Sequence, residues 1–269
     1  MGDRMDAQSS NLSSDPAVTV ILPAHNRADL LPRAAASVLD QDFRDLRLII
    51  VDDGSTDRTP EVATGLCADP RVQYVRLERN RGQSAARNHG LALARSPFVA
   101  FQDSDDAWMP GKLRRQMDIL AGRPDLDLVY GHLLRIPRRG EPFIIRAPQL
   151  VRGRLFDDRP SIYASFGIGI QTCLFRTGAL QRIQGFNEHL ACMEDLELFL
   201  RFNVRYRSLA IEEPLVRYYE TGGVITHNTA ELATRRFLLH RHGWRLLLSR
   251  PRMFMLERRR IRSGKRMDI

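Results

Sequence analysis

Apolar positions along the chain fall in short, nearly unbroken runs, separated by longer stretches in which they recur at helical spacing. Val18-Thr19-Val20-Ile21-Leu22 reads as a buried strand, and the stretch from Leu30 to Leu39 as a helix with Asp29 as its N-cap and Pro32 in its first turn. A second strand covers Leu46 to Val51. Thr59-Pro60-Glu61 then opens a helix with cap, proline and acid in their favoured places. The same reading predicts a strand over Val72 to Leu77, a helix over Ser84 to Ala94, strands over Phe98 to Phe101 and Leu126 to Tyr130, and a helix over Pro110 to Ala121. Strands that are apolar on both faces and alternate with helices predict an α/β fold with a mostly parallel central sheet flanked by helices. No internal repeat is visible.

Open parallel sheets bind ligands beyond the carboxyl ends of their strands. Here those ends read Pro23-Ala24-His25-Asn26, Asp52-Asp53-Gly54-Ser55 and Asp103-Ser104-Asp105-Asp106. The last set, within FQDSDDAW, crowds three carboxylates into four positions behind an apolar strand. Such crowding is unfavourable unless water screens the charges or a cation sits among them. Helix capping accounts for at most one of the three, because Pro110 places the cap of the next helix near Trp108 or Met109. Hard carboxylate oxygens suit Mg²⁺ or Mn²⁺, which also coordinate substrate phosphates.

Other phosphate and metal chemistries find no support. Gly111-Lys112 lacks the glycine spacing and following Ser or Thr of a P-loop, and no G-x-G-x-x-G follows the first strand. Neither His-Glu-x-x-His nor paired Cys-x-x-Cys occurs, so zinc is not expected.

Composition adds limits. The 269 residues, 43% of them hydrophobic, are enough for one large domain or a domain with an appendage. Net charge is +9, but residues 231 to 269 hold 12 Lys and Arg against 3 Asp and Glu, so the whole excess lies there and the first 230 residues are neutral. This basic tail, residues 229 to 269, mixes Arg with Leu, Phe, Met and Trp. It is expected to be helical and to lie on anionic lipid, with a solvated or oligomer-forming tail as the alternative. It lacks the stacking motifs of a nucleic-acid binder. Cys67, Cys173 and Cys192 are scattered and odd in number, which predicts small buried residues in a reducing compartment rather than a disulfide framework. Residues 1 to 16 have no apolar core and are expected to be a disordered leader, neither signal peptide nor anchor. No run reaches the roughly 18 apolar residues of a membrane span. A cytoplasmic protein is expected, peripheral at the inner face of the cell membrane if the tail binds there.

The segments VTVILPAHNRADLLPRAAASVLDQDF, IIVDDGSTDRT, NRGQSAARNHGLALA, FVAFQDSDDAW and GFNEHLACMEDLELFLR, in this order, resemble the family 2 glycosyltransferases with the A-type nucleotide-sugar-binding fold, GT-A. The resemblance covers residues 18 to about 220. It implies one GT-A domain over 17–228, with a nucleotide-binding half (17–125) and an acceptor half (126–228). It further implies transfer of a sugar from a nucleotide-diphosphate donor to a saccharide or lipid-linked acceptor, with inversion at the anomeric carbon. By resemblance Pro23, Ala24, Asn26 and Asp53 line the base and ribose pocket, Arg87 helps hold the nucleotide, and Asp103, Asp105 and Asp106 match the acidic motif. Asp103 and Asp105 would contact the donor, and Asp105 and Asp106 a divalent Mn²⁺ or Mg²⁺, with His227 as a further ligand.

Single-step inversion needs a base opposite the leaving group. Met193-Glu194-Asp195-Leu196 opens an apolar helical run and matches the family's Glu-Asp pair, which makes Asp195 the expected base and Glu194 its orienting or acceptor-binding neighbour. Their place near a helix N-terminus predicts ionised carboxylates; plain helix capping is the alternative. Asn187 and Glu197 stand where the family often has Asp, which loosens the reading of acceptor recognition. Trp108 reads equally as a sugar platform or a core residue. A sugar-phosphate nucleotidyltransferase is the competing enzyme, but Leu22-Pro23-Ala24-His25-Asn26 lacks the glycine-rich basic loop it needs. An inactive nucleotide-sugar-binding scaffold is disfavoured by the intact acidic motif and Glu-Asp pair.

Overall fold

The computed structural model describes residues 15–150, 152, 168–221, 233–242, 254–255, 258–259 and 262. His227 and the leader 1–14 lie outside the described residues. Strands β1 (Val18–Ala24), β2 (Leu46–Asp52), β3 (Val72–Arg76) and β4 (Phe98–Phe101) are joined by helices α1 (Leu31–Leu39), α2 (Thr59–Leu66) and α3 (Gln83–Leu93). The alternation read from the sequence is therefore present, with ends shifted by one or two residues. After β4 come β5 (Ala107–Trp108), α4 (Lys112–Gly122), β6 (Leu128–Ile136), β7 (Phe143–Ile145), a 3₁₀ turn at Ile170–Thr172, β8 (Leu174–Arg176), α5 (Thr177–Arg182), α6 (Glu194–Arg205) and β9 (Ser208–Tyr219).

The sheet runs β3-β2-β1-β4-β8-β6-β9-β5, with β7 paired to β6. From β3 to β4 all pairings are parallel, but β8 is antiparallel to β4 and to β6, and β5 to β9. The sheet is wholly parallel through β4 and mixed beyond it, where β6 runs parallel to β9. β8 turns straight into α5 and pairs antiparallel with both of its neighbours.

β1 lies inside the sheet, so its side chains face two cores. Val18, Val20 and Leu22 pack with α1, α2 and α4, whereas Ile21 joins Val99, Phe101, Phe175, Phe199 and Phe202 on the side of α3, α5 and α6. The register sets Ala24 beside Asp52 and Ile21 beside Phe101, which brings three strand ends to one edge. The chain proceeds outward from β1 through β2 to β3, then returns to β4 on the other side of β1. That reversal opens the crevice where this sheet class binds ligands.

Some local expectations fail for identifiable reasons. Leu30, not Asp29, caps α1, and no side-chain cap bond forms. Pro110 does not open α4: Ala107–Trp108 extends into β5 against β9, and left-handed Gly111 (φ 77°) starts the helix. Trp108 is a core residue, 2% exposed. Cys173 is buried as expected, but Cys67 is exposed. No helix among the described residues is long and apolar enough to cross a membrane. Within the basic tail, residues 233–242 are helical, and Leu238 packs on Leu196 and Leu200 of α6.

Lys112 is fully buried, stacked 3.9 Å from the Trp108 ring and donating to Gln116 Oε1 at 2.8 Å. Burial pulls its pKa from 10.5 down to about 7. Between those values the unfolded chain binds a proton that the folded chain resists, so this residue makes stability rise with pH from about 7 to 10. Lys112→Met should flatten that rise by a few kcal/mol, on the order of the 1.4 kcal/mol carried by each pKa unit. Urea unfolding at pH 7 and pH 9 reads the effect; an unchanged slope would refute it.

Candidate active site

The loop after β1 and the loop after β2 are stitched together. Asn26, in a left-handed conformation (φ 52°), accepts the main-chain N–H of Thr56 at its Oδ1 (2.8 Å), and its own N–H donates to Ser55 Oγ. Left-handed geometry suits asparagine better than most residues. Asp53, 3% exposed, accepts the N–H groups of Arg81 (2.8 Å) and Gly82 (2.7 Å), fixing the entry to α3. Asp52 beside it accepts from Tyr74 Oη and Ser55 N. Burial, followed by this bond to Asp52, pushes the Tyr74 phenol up to about 12. Pro23 and Ala24 form the buried floor between these loops. Pro23, Ala24, Asn26 and Asp53 are thus gathered at one end of the crevice. Each Asp53 oxygen already holds one backbone donor and keeps a second lone pair.

Arg87 occupies the centre. Its side chain rises from the second turn of α3 and is 1% exposed. Nη2 donates to Asp103 Oδ1 at 2.8 Å, Nη1 to Glu194 Oε1 at 2.8 Å, and Nη1 also lies 3.4 Å from Asp195 Oδ1. One guanidinium therefore ties the acidic motif after β4 to the acid pair opening α6. The carboxylates keep partial exposure, 19% for Asp103, 15% for Glu194 and 30% for Asp195, so they line the cleft while Arg87 lies beneath them. A planar fork can serve two sides at once, which a lysine cannot. The crowding in FQDSDDAW thus finds its first cation in the protein's own arginine.

Three acids face this single positive charge. The Asp195 carboxyl is pushed up to about 8, first by loss of hydration and then by neighbouring Glu194, against the pull of Arg87. Asp103 is also raised, mainly by burial. The sequence expectation that the helix dipole keeps Asp195 ionised is corrected here: loss of hydration, with Glu194 one residue away, raises the Asp195 carboxyl although it stands in the first turn of α6.

Asp105 and Asp106 diverge. Asp105 accepts from Thr221 Oγ1 at 2.9 Å through Oδ2, and Arg33 donates to its carbonyl. Asp106 is fully buried: Oδ2 accepts from Gln171 Nε2 (2.7 Å) and Oδ1 from Tyr219 N (3.1 Å). Burial, with Asp103 and Asp105 nearby, raises its pKa well above the ordinary range. Among the described residues no three His, Cys, Asp or Glu side chains form a metal-binding cluster. The donor chemistry nevertheless fits a hard divalent ion that completes its shell with phosphate and water: Asp103 Oδ2 and Asp105 Oδ1 accept no hydrogen bond from the described residues.

Three contributors were missed in the sequence. Asn88 donates to the Phe186 carbonyl and accepts the Phe186 N–H, clamping the Gly185–Glu188 loop to α3. Left-handed Gly185 (φ 57°) allows the approach, since a Cβ there would sit 2.4 Å from Asn88 Oδ1. Gln83 donates to Asp103, and Gln171 holds Asp106. Asn88 directly follows Arg87, so adjacency was the only signal. Glu188 accepts from Asn88 and Arg81, and Glu197 turns from the cleft to Arg201.

Comparison with known proteins agrees with this architecture. TuaG of Bacillus subtilis (strain 168), a candidate teichuronic acid biosynthesis glycosyltransferase, is 31% identical over 86% of this chain and 90% of its own. Succinoglycan biosynthesis protein ExoO of Rhizobium meliloti (strain 1021) is 33% identical over 67% of this chain, which spans only 53% of ExoO. Among solved structures, S. aureus TarS 1-349 in complex with UDP-GlcNAc shares the fold with a TM-score of 0.65 at 21% identity, over 82% of this chain and 66% of that one. The profile of Glycosyl transferase family 2 matches residues 19–180, the span that builds β1 to β4 and carries Asp53, Arg87 and the acidic motif, and the chain therefore belongs to that family, an enzyme with the GT-A fold.

Proposed function

We propose that this enzyme transfers a sugar, with inversion, from a nucleotide-diphosphate donor to a hydroxyl on a saccharide or lipid-linked acceptor, in assembly of a bacterial surface polysaccharide or glycolipid. The observation that carries the reading is the Arg87 bridge, which holds a donor-side aspartate and a candidate base on one cleft. The names of TuaG and ExoO support the polysaccharide context, and the UDP-GlcNAc bound to TarS supports the donor class.

In this reading Pro23, Ala24, Asn26 and Asp53 receive the base and ribose, beside loops already tethered to one another. Asp103 and Asp105 face the diphosphate; a divalent Mn²⁺ or Mg²⁺ held there would neutralise charge on the departing nucleoside diphosphate. Asp106 serves as a latch that fixes Asp105 by binding β9 and the 3₁₀ turn. His227 is retained as a further ligand on the resemblance alone. Asp195 takes the proton from the acceptor hydroxyl as its oxygen attacks the anomeric carbon and the carbon–oxygen bond to the diphosphate breaks. Glu194 and Arg87 hold Asp195 in place. Docking of the basic tail on anionic lipid would bring the enzyme to a lipid-linked acceptor, inside the cytoplasm.

Ligand-linked stabilisation tests the donor class directly. A panel of nucleotide sugars with Mn²⁺ should raise Tm for at least one member, and that member should yield nucleoside diphosphate when acceptor is present. Release of pyrophosphate instead would establish the nucleotidyltransferase, and neither product would indicate a scaffold.

The raised carboxyl of Asp195 also sets a pH dependence. A base must be deprotonated, so kcat/KM should rise about tenfold per pH unit below 8 and level above it. A flat profile from pH 6 to 9 would remove Asp195 from that role.

A further inference from the structure

We propose that the cavity between α5, α6 and the 233–242 helix is a binding site for a phosphate group, separate from the catalytic cleft. The cavity measures about 360 Å³ and is lined by Arg182, Gln184, Arg201, Arg205, Arg241 and His242, with Ile183 and Val204 on its walls. Its volume falls in the range of small-ligand sites. The inference does not depend on the sugar-transfer reading. Glu194 opens α6 and Arg205 ends it, so the 12-residue helix places the two sites about 16 Å apart along its axis.

The charge balance is one-sided. Glu197 approaches two of the lining arginines, Arg201 and Arg241, and it is 1% exposed with both oxygens accepting from Arg201 Nε at 2.8 Å. Arg201 spends its remaining nitrogens on the carbonyls of Ile183 and Gly185. This pair is neutral and complete. Arg241 approaches Glu197 only at 3.9 Å and is 54% exposed. Arg182 and Arg205 are exposed and have no acidic partner among the described residues. Three guanidinium groups from three separate segments thus line one concave space, and among the described residues their only acidic neighbour is Glu197, 3.9 Å from Arg241 and already held by Arg201.

A last-turn arginine complements its own helix dipole, and that accounts for Arg182 and Arg205 singly. It does not account for their sharing a cavity with Arg241, where their mutual repulsion is unfavourable. Guanidinium forks match the oxygens of a phosphate monoester or diester better than a point charge does. Val204 of the cavity wall shares an apolar cluster with Phe237, Leu239 and Phe254, which are only partly buried against Leu196, Leu200 and Leu238. A basic concavity with an apolar border fits a lipid headgroup; the same forks would take a soluble phosphate ester.

The test compares the full chain with the double variant Arg182→Glu/Arg205→Glu and with a charge-matched control, Arg47→Glu/Arg95→Glu, at exposed positions outside the cavity. Two probes are used in chelator: vesicles of 70% phosphatidylcholine and 30% phosphatidylglycerol by co-sedimentation, and glycerol 3-phosphate by calorimetry. The cavity variant should lose at least tenfold in affinity for one probe while the control stays within twofold. Loss on vesicles alone assigns the phosphate to a lipid, and loss on glycerol 3-phosphate assigns it to a soluble ester. Equal losses in both variants, or none in the cavity variant with its Tm preserved, would overturn the site.

Discussion

Asp195→Asn is expected to bind nucleotide sugar within about twofold of the wild type and to lose transfer by roughly 10³-fold, the scale of an absent general base. The substitution keeps the volume and leaves an amide oxygen 3.4 Å from Arg87 Nη1, so Glu194 and Asp103 keep their bonds to the guanidinium. What disappears is the capacity to take a proton. The loss should therefore fall on kcat, with KM for the donor held, because the missing interaction exists only in the transition state. The rise in kcat/KM toward pH 8 should vanish as well. Single-turnover transfer together with donor titration separates these terms. Unimpaired turnover would refute the role, and a collapse of donor binding would assign Asp195 to the substrate pocket instead.

Arg87→Met is the second large effect. It removes a fully buried cation facing Asp103, Glu194 and Asp195 and leaves these acids facing one another without a counter-charge, with the Gln83 bond to Asp103 remaining. Breaking a buried pair from one side typically destabilises by about 3–5 kcal/mol. The three acids retain some exposure to the cleft, so the lower figure is the better expectation here. The penalty should depend on pH in a defined direction. Arg87 lowers the pKa values of Asp103 and Asp195 against the effect of burial, and without it both rise further. The variant's acids can protonate at pH 5 but must carry repelling charge at pH 8. The stability gap between wild type and variant should therefore widen as pH rises. Urea unfolding at pH 5.5 and 8 reads this; a gap that narrows would contradict the network. Arg87→Lys supplies the finer test, since an ammonium keeps the charge but cannot fork between Asp103 and the Glu194 pair. Folding should largely recover while kcat stays low.

These two residues also mark how much of the site was legible in advance. Asp195 was identified because single-step inversion needs a base opposite the leaving group, and because the Glu194-Asp195 pair matched a family pattern. Its ionisation was misjudged, because a helix dipole can be read from sequence whereas burial and a like-charged neighbour's orientation cannot. Arg87 was placed in the nucleotide pocket by resemblance. Its bonds to groups 16, 107 and 108 residues away have no local signature. Asp106 illustrates the same limit. Adjacent to Asp105 in sequence, it turns into the interior toward Gln171 and Tyr219, because a turn through Ser104 and Asp105, closed by the Asp106 N–H donating to the Asp103 carbonyl, redirects the chain between them.

The sequence by itself determined the first half of the fold. Runs such as Val18 to Leu22 and Leu46 to Val51 are apolar at all but one position, which fits a strand buried on both faces, and intervening helical periodicity makes their crossovers parallel. It likewise determined that acids gather beyond those strand ends, and that all net positive charge resides in the last 39 residues. Tertiary structure alone decided that β8 runs against β4, that one buried guanidinium neutralises acids from two distant loops, and that three arginines from separate segments surround one cavity. The reason is physical: strand and helix periods are local properties of the backbone, whereas charge pairing and cavity shape arise only where distant segments close on one another.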